Sequence, residues 1–334
     1  MTDRDKIIIT RIKQNKTINE IASELGISNK QLYDRILALQ NKGFVLTRNI
    51  IDNGNILYSF KNEPQNKLDY TQKLKLAYPN NFSAMLISDT HIGNEQQNIR
   101  LLDKVYNYCK EQDIHIIINC GDLIDGNFSY GNQVTSDPIS QLDTLVKNYP
   151  FDREILNIMC FGNHDYSAFK SCVDAKTLLE NARPDFIPLG YGLGIINVES
   201  DQIILKHNIN EFDFQPIGNK LILEGHHHKA SFITNREGFV VNIPTLSNVA
   251  LSKHAFPGAI KMKLSFNVEG YINSGHFEQF IITNDLMTVN ESYFNFDFDH
   301  ELLSESSIKP KIKVKTNQPA FSRQIEKFNR KWKR

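Results

Sequence analysis

The sequence lacks any long hydrophobic run, and this absence excludes the simplest signature of a membrane protein. Nowhere do about 18 uncharged apolar residues follow one another, which is close to the length that a membrane-spanning helix needs. The first ten residues hold one short apolar stretch between charges, so we expect no signal peptide. We therefore expect a cytoplasmic protein with no membrane partner.

Cysteine is scarce as well. The chain has 4 cysteines, and none of them forms a C-x-x-C pair. Cys120 and Cys160 lie in apolar runs typical of buried strands. We predict that they are reduced core thiols, as expected in the cytoplasm.

The chain as a whole also lacks net charge, but its charge is unevenly distributed. Lys and Arg number 38, as do Asp and Glu. Basic residues are in excess in 1–62 and especially in 308–334, so the middle of the chain is acidic. An acidic middle favours cation binding and basic ends favour a polyanionic partner, although a solvated surface carries such charges too.

The first 62 residues predict three helices and a hairpin. Residues 3–14 have helical apolar spacing, and a capping box of Thr17 with Glu20 starts a short helix that Gly26 ends. A second capping box at Ser28 starts the next helix, over about 29–42. Two strand-like runs around an Asn-Gly turn follow, and the whole resembles a winged helix-turn-helix domain.

This resemblance implies that the helix over 29–42 enters the major groove of DNA. Its candidate contact residues are Lys30, Gln31, Tyr33, Arg35 and Gln40. Such modules also serve in dimerisation or protein docking, and Asp34 within the helix does not favour phosphate contact. DNA binding and a docking role both remain open.

The rest of the chain predicts a linker, an α/β domain and an extension. Residues 63–82 are polar with two prolines and read as a linker, with room for one short helix. From 83 to 290, strand-like runs alternate with helices near 96–112, 137–148 and 168–182 and then follow one another directly. This order predicts a two-sheet α/β sandwich flanked by helices. Residues 291–334 form a C-terminal extension whose basic tail either contacts nucleic acid or is plain solvated chain.

Five short motifs follow strand-like runs in order. They are Asp89-Thr90-His91, Gly121-Asp122-Leu123-Ile124-Asp125, Gly162-Asn163-His164-Asp165, the single His207, and Gly225-His226-His227-His228. Side chains two apart on extended chain face the same way, so a carboxylate or imidazole pair is expected to converge. Carboxylates, imidazoles and one amide form a ligand set for Mn, Fe, Zn, Co or Ni.

This ordered series resembles the calcineurin-like metallophosphoesterase family over about residues 83–270. The resemblance implies two divalent metal ions, with manganese as first choice. The first would be held by Asp89, His91, Asp122 and His228, and the second by Asn163, His207, His226 and the shared Asp122.

The resemblance also implies a mechanism in which a metal-bound hydroxide attacks phosphorus. His164 would be the general acid at the leaving oxygen, and Asp125 would orient the His164 imidazole through a charge-assisted hydrogen bond. Asp125 could instead be a loop cap. We expect the side chain of His227 to point away from the site.

Departures from the family's protein phosphatases bear on the substrate. In those enzymes the corresponding motifs are GDxVDRG and GNHE. Here Gly126 and Asn127 follow Asp125, and the third motif ends in Asp165. The arginine with which those enzymes bind the phosphate is therefore absent. The sequences of these motifs are more similar to those of the family's nucleases and phosphodiesterases. We predict a phosphodiesterase acting on DNA, with two alternatives: a small-nucleotide phosphodiesterase or phosphatase that dimerises through the winged helix, and a DNA-binding regulator with a ligand-sensing metal domain.

Overall fold

The computed structural model describes residues 2–50, 56–60, 71–74, 82–128, 132–208, 221–235, 238–249, 256–283 and 285–296. Its helices are α1 (Asp3–Lys13), α2 (Ile18–Leu25), α3 (Asn29–Asn41), α4 (Arg100–Glu111), α5 (Pro138–Asn148), α6 (Asn163–Tyr166) and α7 (Ala175–Ala182), with a 3₁₀ helix at Ser167–Ser171. Among these described helices, none is long and apolar enough to cross a bilayer.

The strands are numbered in chain order. They are β1 (Leu46–Ile50), β2 (Ile56–Phe60), β3 (Thr71–Leu74), β4 (Phe82–Ile87), β5 (Ile116–Cys120), β6 (Leu156–Phe161), β7 (Phe186–Tyr191), β8 (Leu193–Val198), β9 (Asp201–Lys206), β10 (Leu221–Glu224), β11 (Ser231–Asn235), β12 (Gly238–Asn242), β13 (Gly258–Phe266), β14 (Ile272–Ile282) and β15 (Leu286–Asn295).

The N-terminal region begins with α1, α2 and α3 and continues into the antiparallel pair β1 and β2. Thr17 and Glu20 form the predicted capping box, and Gly26 ends α2 in the left-handed conformation with φ of 61°. Ser28 caps α3 together with Gln31. The predicted helix boundaries agree with the structure to within one residue, and the predicted Asn-Gly turn lies outside the described residues.

The N-terminal region packs against α7. Phe44 forms an antiparallel bridge with Val173, and the Asp174 amide donates to the Gly43 carbonyl at 2.5 Å. Phe44 and Leu178 are buried in one apolar cluster with the cores of both parts. The three-helix unit therefore shares a core with the helical layer of the rest of the molecule.

Two sheets form the body of the molecule. The larger has the order β15-β14-β13-β4-β5-β6-β7, in which β4 to β7 run parallel and β13 to β15 run antiparallel. The smaller has the order β11-β12-β10-β9-β8-β3, with β9, β10 and β12 parallel. The parallel strands bring their carboxyl ends to one edge of each sheet.

Apolar side chains fill the space between the sheets. Leu86 and Ile118 of the larger sheet and Leu205 and Leu223 of the smaller are fully buried in one cluster. The opposite face of the larger sheet packs under α4, α5 and α7. The predicted α/β sandwich flanked by helices therefore describes the observed layers.

Three expectations along the chain need correction. The predicted linker 63–82 contains β3, which pairs with β8, and β4 begins at Phe82. The strand β15 runs through the expected boundary at 290, because it completes the sheet as an edge strand. The helix expected over 168–182 is divided into a 3₁₀ turn and α7 by Cys172 in the left-handed conformation. The predicted basic tail lies outside the described residues.

Candidate metal centre

The candidate site lies where strands of the two sheets end. Asp89, Asp122 and Asn163 follow the adjacent parallel strands β4, β5 and β6. His207 and His226 follow the adjacent parallel strands β9 and β10. Since the carboxyl ends of parallel strands share an edge, both sheets deliver polar side chains to the same place.

The backbone is left-handed at five of the candidate metal ligands. Asp89, His91, Asp122, His226 and His228 have φ of 55°, 44°, 52°, 74° and 58°. Convergence of the Asp89–His91 and His226–His228 pairs was expected from extended chain, and this reason is wrong, because both members of each pair have a positive φ. The conformation costs about 1 to 2 kcal/mol for a residue with a Cβ, a strain typical of functional sites.

Two glycines make room for the site. A Cβ on Gly162 would overlap the Asp122 carboxylate and the His207 ring, and one on Gly121 would overlap His207 as well. Gly121 also has a φ of 105°, which favours glycine. The glycines that precede Asp122 and Asn163 therefore allow the two loops to approach His207.

The first group of candidate ligands gathers around Asp89. Asp89 Oδ1 lies 3.1 Å from His228 Nε2 and 3.8 Å from His91 Nε2. The two imidazole nitrogens are 3.3 Å apart. Ligand atoms of these three residues all lie within 4.8 Å of one another.

The second group gathers around Asp122. Asp122 Oδ2 lies 3.0 Å from His207 Nε2, and ligand atoms of Asp122, His207 and His226 lie within 4.8 Å of one another. His91, Asp122 and His164 form a third such group, which shares His91 with the first group and Asp122 with the second. Asn163 and His164 are the first two residues of α6.

Three histidines are held by the ring nitrogen that faces away from the site. His207 Nδ1 lies 2.6 Å from the Cys120 carbonyl, and His228 Nδ1 lies 3.1 Å from the Val249 carbonyl. His91 Nδ1 lies 3.3 Å from the Asp125 carboxylate. These contacts leave Nε2 as the atom available for a metal.

The donors present fit a divalent cation. Asp89 Oδ1, Asn163 Oδ1 and His207 Nε2 are buried and make no hydrogen bond of good geometry within the described part of the chain; Asp89 Oδ1 and His207 Nε2 face only other candidate ligands, His228 and Asp122. Buried polar atoms are normally satisfied, so a cluster of unsatisfied oxygen and nitrogen atoms is a physical reason to expect an ion. The mixed ligand set suits transition metals such as manganese.

Asp122 and His207 each stabilise the charged form of the other. Burial acts to raise the pKa of Asp122, but the His207 imidazolium outweighs it and the pKa lies well below its usual range. Burial likewise acts to lower the pKa of His207, but Asp122 and Asp89 raise it to about 10. The carboxylates therefore stay ionised and attract positive charge.

Asp125 is arranged differently from the expectation. His164 Nδ1 lies 2.9 Å from the backbone carbonyl of Asp125, whereas the carboxylate is 3.9 Å away. That carboxylate faces His91 and also accepts from Gln133 at 2.6 Å and from Asn94 at 3.2 Å. The expected carboxylate contact to His164 is thus replaced by a carbonyl contact, because the loop turns the side chain towards His91.

Asp165 is a site residue that the sequence argument left without a role. Its carboxylate accepts from the backbone amides of Leu123, Ile124 and Gly162 at 3.2, 3.0 and 2.8 Å. Burial and Asp122 raise the pKa of Asp165 to about 7, against these hydrogen bonds. The only signal of this role in the sequence was the position of Asp165 in the third motif. Its contacts join the third motif to the second motif.

His227 points away, as expected. Its side chain is half exposed and its Nε2 lies 3.7 Å from Glu224. Asn94, Gln133 and Phe128 were not predicted as site residues, and nothing in their local sequence distinguishes them.

In the structure, most of the side chains predicted to contact DNA have partners within the protein. Gln31 accepts from the Ser28 amide at 2.9 Å, Arg35 lies 3.2 Å from Asp5, and Gln40 donates to the Leu46 carbonyl at 3.3 Å. Tyr33 packs edge-on against Tyr58. Lys30 is exposed on α3.

Comparison with known proteins identifies the class. The model of the calcineurin-like phosphoesterase family matches residues 82–314. The chain belongs to this family and is a metal-dependent phosphoesterase. No curated protein matches the chain.

Several solved structures resemble the chain at low similarity. An archaeal phosphodiesterase is 13% identical, with a TM-score of 0.38 over 60% of this chain and 100% of its own. The phosphoesterase Yfce from E. coli is 14% identical, with a TM-score of 0.36 over 60% of this chain and 100% of its own. The nuclease MPE from Pseudomonas putida is 15% identical, with a TM-score of 0.32 over 53% of this chain and 83% of its own.

Proposed function

We propose that this protein is a cytoplasmic dinuclear-metal phosphodiesterase that acts on DNA. The observation that carries the proposal is the convergence of five motifs from two sheets on a buried cluster of carboxylate and imidazole atoms whose close polar neighbours are one another.

The first cation would be held by Asp89, His91, Asp122 and His228. The second would be held by Asn163, His207 and His226, with Asp122 shared between them. Manganese is our first choice among the metals that these ligands accept. When bound, the two cations would supply Lewis acidity and a nucleophilic water.

The chain itself would position the phosphodiester and move a proton. His164 is 19% exposed in its side chain, lies beside His91 and Asp122, and is oriented by a hydrogen bond at Nδ1. With Nδ1 so engaged, Nε2 would give its proton to the leaving oxygen. The Asp122 carboxylate accepts from the His164 amide at 2.9 Å and so fixes this residue next to the metal ligands.

DNA is proposed as the substrate because of the N-terminal region. Three helices followed by a two-stranded pair have the order of a winged helix-turn-helix domain. Its exposed Lys30 lies in the first turns of α3, the end of the helix that such domains direct at the groove. This unit packs on the same body that carries the site, through the bridge between Phe44 and Val173, so DNA bound to it would be held on the catalytic body.

The test is an assay with Mn²⁺ on single-stranded DNA, double-stranded DNA and a small cyclic nucleotide. We expect cleavage of DNA by the wild-type protein and at least a hundredfold lower rate for Asp89→Asn, in line with loss of a metal ligand. Turnover of the cyclic nucleotide without any DNA cleavage would refute the DNA proposal while leaving the phosphodiesterase intact.

A second candidate is a small-nucleotide phosphodiesterase or phosphatase in which the N-terminal region makes a dimer. The engaged side chains of α3 and its exposed Leu37, at 57% exposure, favour this alternative. DNA binding by the variant Lys30→Glu distinguishes the two candidate functions. On our proposal it weakens DNA binding, while Lys147→Glu, the same charge change on α5, does not. Equal DNA binding by both variants, together with a dimer that Leu37→Asp dissociates, would support the alternative.

A further inference from the structure

Gln141 is a fully buried glutamine of α5 that lies behind the candidate site. Its Oε1 accepts from the Gly126 amide at 2.7 Å. Its Nε2 donates to the Gly126 carbonyl at 3.0 Å and to the Thr135 carbonyl at 2.6 Å. Because a buried amide without partners is costly, these bonds fix the direction of the side chain. Gln141 therefore holds both backbone polar groups of Gly126.

Two glycines allow this close contact. A Cβ on Gly93, two residues after His91, would overlap the Gln141 side chain. A Cβ on Gly126 would overlap the backbone carbonyl of His164, and Gly126 has a φ of 75°. Gly126 thus contacts Gln141 through its amide and carbonyl, and it contacts the His164 backbone on the side that a Cβ would occupy.

The Gly126 amide and the Asp125 carbonyl belong to the same peptide unit. That unit is planar and trans, so its N–H and C=O point in opposite directions. The N–H is directed at Gln141 Oε1, and the C=O is therefore directed away from it, towards His164 Nδ1 at 2.9 Å. Hydrogen bonds at the two ends of one peptide unit also polarise each other. The bond to Gln141 thus determines the direction of the contact that orients the His164 imidazole.

Other contacts hold the atoms around this peptide unit. Gln133 Nε2 lies 3.4 Å from the Asp125 carbonyl, and its shorter bonds go to the Asp125 carboxylate at 2.6 Å and the Gly126 carbonyl at 3.0 Å. The Asp125 amide donates to the Ile92 carbonyl at 2.9 Å. Among the described residues, Gln141 is the acceptor bonded to the Gly126 amide, so the N–H end of the unit depends on this side chain.

We propose that Gln141 is a positioning residue for the general acid. By holding the peptide unit between Asp125 and Gly126, it keeps the carbonyl on His164 Nδ1 and so keeps His164 Nε2 directed at the leaving oxygen. A small displacement of a catalytic group lowers the rate steeply. The inference rests on the proposed function, which places His164 at the leaving oxygen.

The experiment compares two phosphodiesters with different leaving groups at saturating Mn²⁺. Oligothymidylate releases an alkoxide, which needs a proton, whereas bis(p-nitrophenyl) phosphate releases p-nitrophenolate, which does not. Gln141→Met keeps the length of the side chain and removes its hydrogen-bonding groups. It should lower kcat on oligothymidylate about 10- to 100-fold and kcat on the aryl ester less than about threefold, with little change in KM. Should this variant not fold, Gln141→Asn, whose amide is one methylene shorter, replaces it with the same expectation.

Two control variants separate positioning from general damage to the fold. Gln141→Glu keeps an oxygen that accepts from the Gly126 amide, so the ratio of its two kcat values should stay within about threefold of wild type. Tyr106→Phe removes a buried hydrogen bond of 2.9 Å to Asn157, which lies at the start of β6, whereas the site follows the end of that strand. This change should lower stability and leave the ratio of the two kcat values as in wild type.

A double variant tests whether Gln141 acts through His164. In a His164→Ala background, the effect of Gln141→Met on oligothymidylate should disappear, because the group that Gln141 positions is absent. The inference would be overturned by an equal loss of kcat on both substrates with Gln141→Met, or by a loss that persists at full size in the His164→Ala background.

The wild-type protein keeps this failure distinct from failure of the proposed function. If it hydrolyses neither substrate with Mn²⁺, the proposed phosphodiesterase is refuted, and the inference with it. If it hydrolyses the aryl ester but not oligothymidylate, the DNA substrate is refuted. The cyclic nucleotide, which also has an alkoxide leaving group, then takes the place of oligothymidylate in the comparison of variants.

Discussion

At the scale of single residues, different oxygen atoms of Asp125 contact two imidazoles. Its carboxylate lies 3.3 Å from His91 Nδ1, and its backbone carbonyl lies 2.9 Å from His164 Nδ1. Gln133 and Asn94 hold the carboxylate in this direction. The side chain therefore serves a candidate metal ligand, whereas the proposed general acid depends on the backbone.

Asp125→Asn is expected to weaken metal binding. The amide keeps the shape but loses the charge beside His91, and such outer contacts typically change metal affinity about 10- to 100-fold. Titration of the metal-free protein with Mn²⁺ by calorimetry measures the loss directly. Because the backbone contact to His164 remains, kcat at saturating Mn²⁺ should fall by less than about tenfold.

The control is Asp137→Asn. Asp137 caps α5 with its side chain, and asparagine caps as well, so metal affinity should not change. An unchanged affinity in Asp125→Asn with a large loss of kcat would instead assign the carboxylate to His164.

At the scale of elements, Asp5 joins α1 to α3. Its side chain lies 3.2 Å from both Arg35 and Lys42 and belongs to the capping box of Thr2. Burial acts to raise the pKa of Asp5, but the Thr2 and Lys42 hydrogen bonds outweigh it and lower the pKa from 3.8. A lowered folded pKa means that ionised Asp5 stabilises the fold above pH 3.8, and this contribution is lost as the pH falls through the lower value.

Asp5→Asn is expected to lower the free energy of unfolding by about 1 to 2 kcal/mol at neutral pH. The difference from wild type should shrink on acidification from about pH 5 to pH 3, because wild type then loses the same charge. Denaturant unfolding across this range measures both effects. Asp3→Asn removes a nearby charge with an exposed side chain and should change little; an equal effect of both variants would argue against the α1–α3 connection.

At the scale of the whole molecule, metal binding is expected to stabilise the fold. The candidate ligands come from both sheets, so a bound cation would connect β4 and β5 to β9 and β10. At a free Mn²⁺ concentration 100 times Kd, linkage predicts about 2.7 kcal/mol per site. Thermal unfolding with Mn²⁺ and with chelator should therefore differ by several degrees.

Asp89→Asn should reduce this metal-dependent shift, while Asp137→Asn should retain it. A melting temperature that does not respond to Mn²⁺ in the wild-type protein would contradict the metal centre irrespective of any substrate.

Part of this arrangement could be read from the sequence, because it rests on local signals. The capping boxes at Thr17 and Ser28 and the stop at Gly26 are formed by neighbouring residues, so helix limits follow from a few positions. The order of motifs over about 83–270 indicated the family, and the family model matches residues 82–314, which include all five motifs.

Other features could not be read, since they depend on partners distant in the chain. The strand β3 has few apolar residues and is defined by pairing with β8, more than a hundred residues later. The left-handed backbone at Asp89 and His226 is uncommon for any residue with a Cβ, and no local pattern in the sequence predicts it at these positions. Likewise the direction of Asp125 is set by His91, Asn94 and Gln133 across a folded loop.

The sequence by itself determined which donor atoms this protein has and that each follows a strand, because residue type and apolar periodicity are local properties. Only the tertiary structure decided which of those atoms lie together and which oxygen of Asp125 meets which imidazole. Such contacts join segments from two sheets, and their geometry is fixed by the packing of the whole fold and by no single stretch of chain.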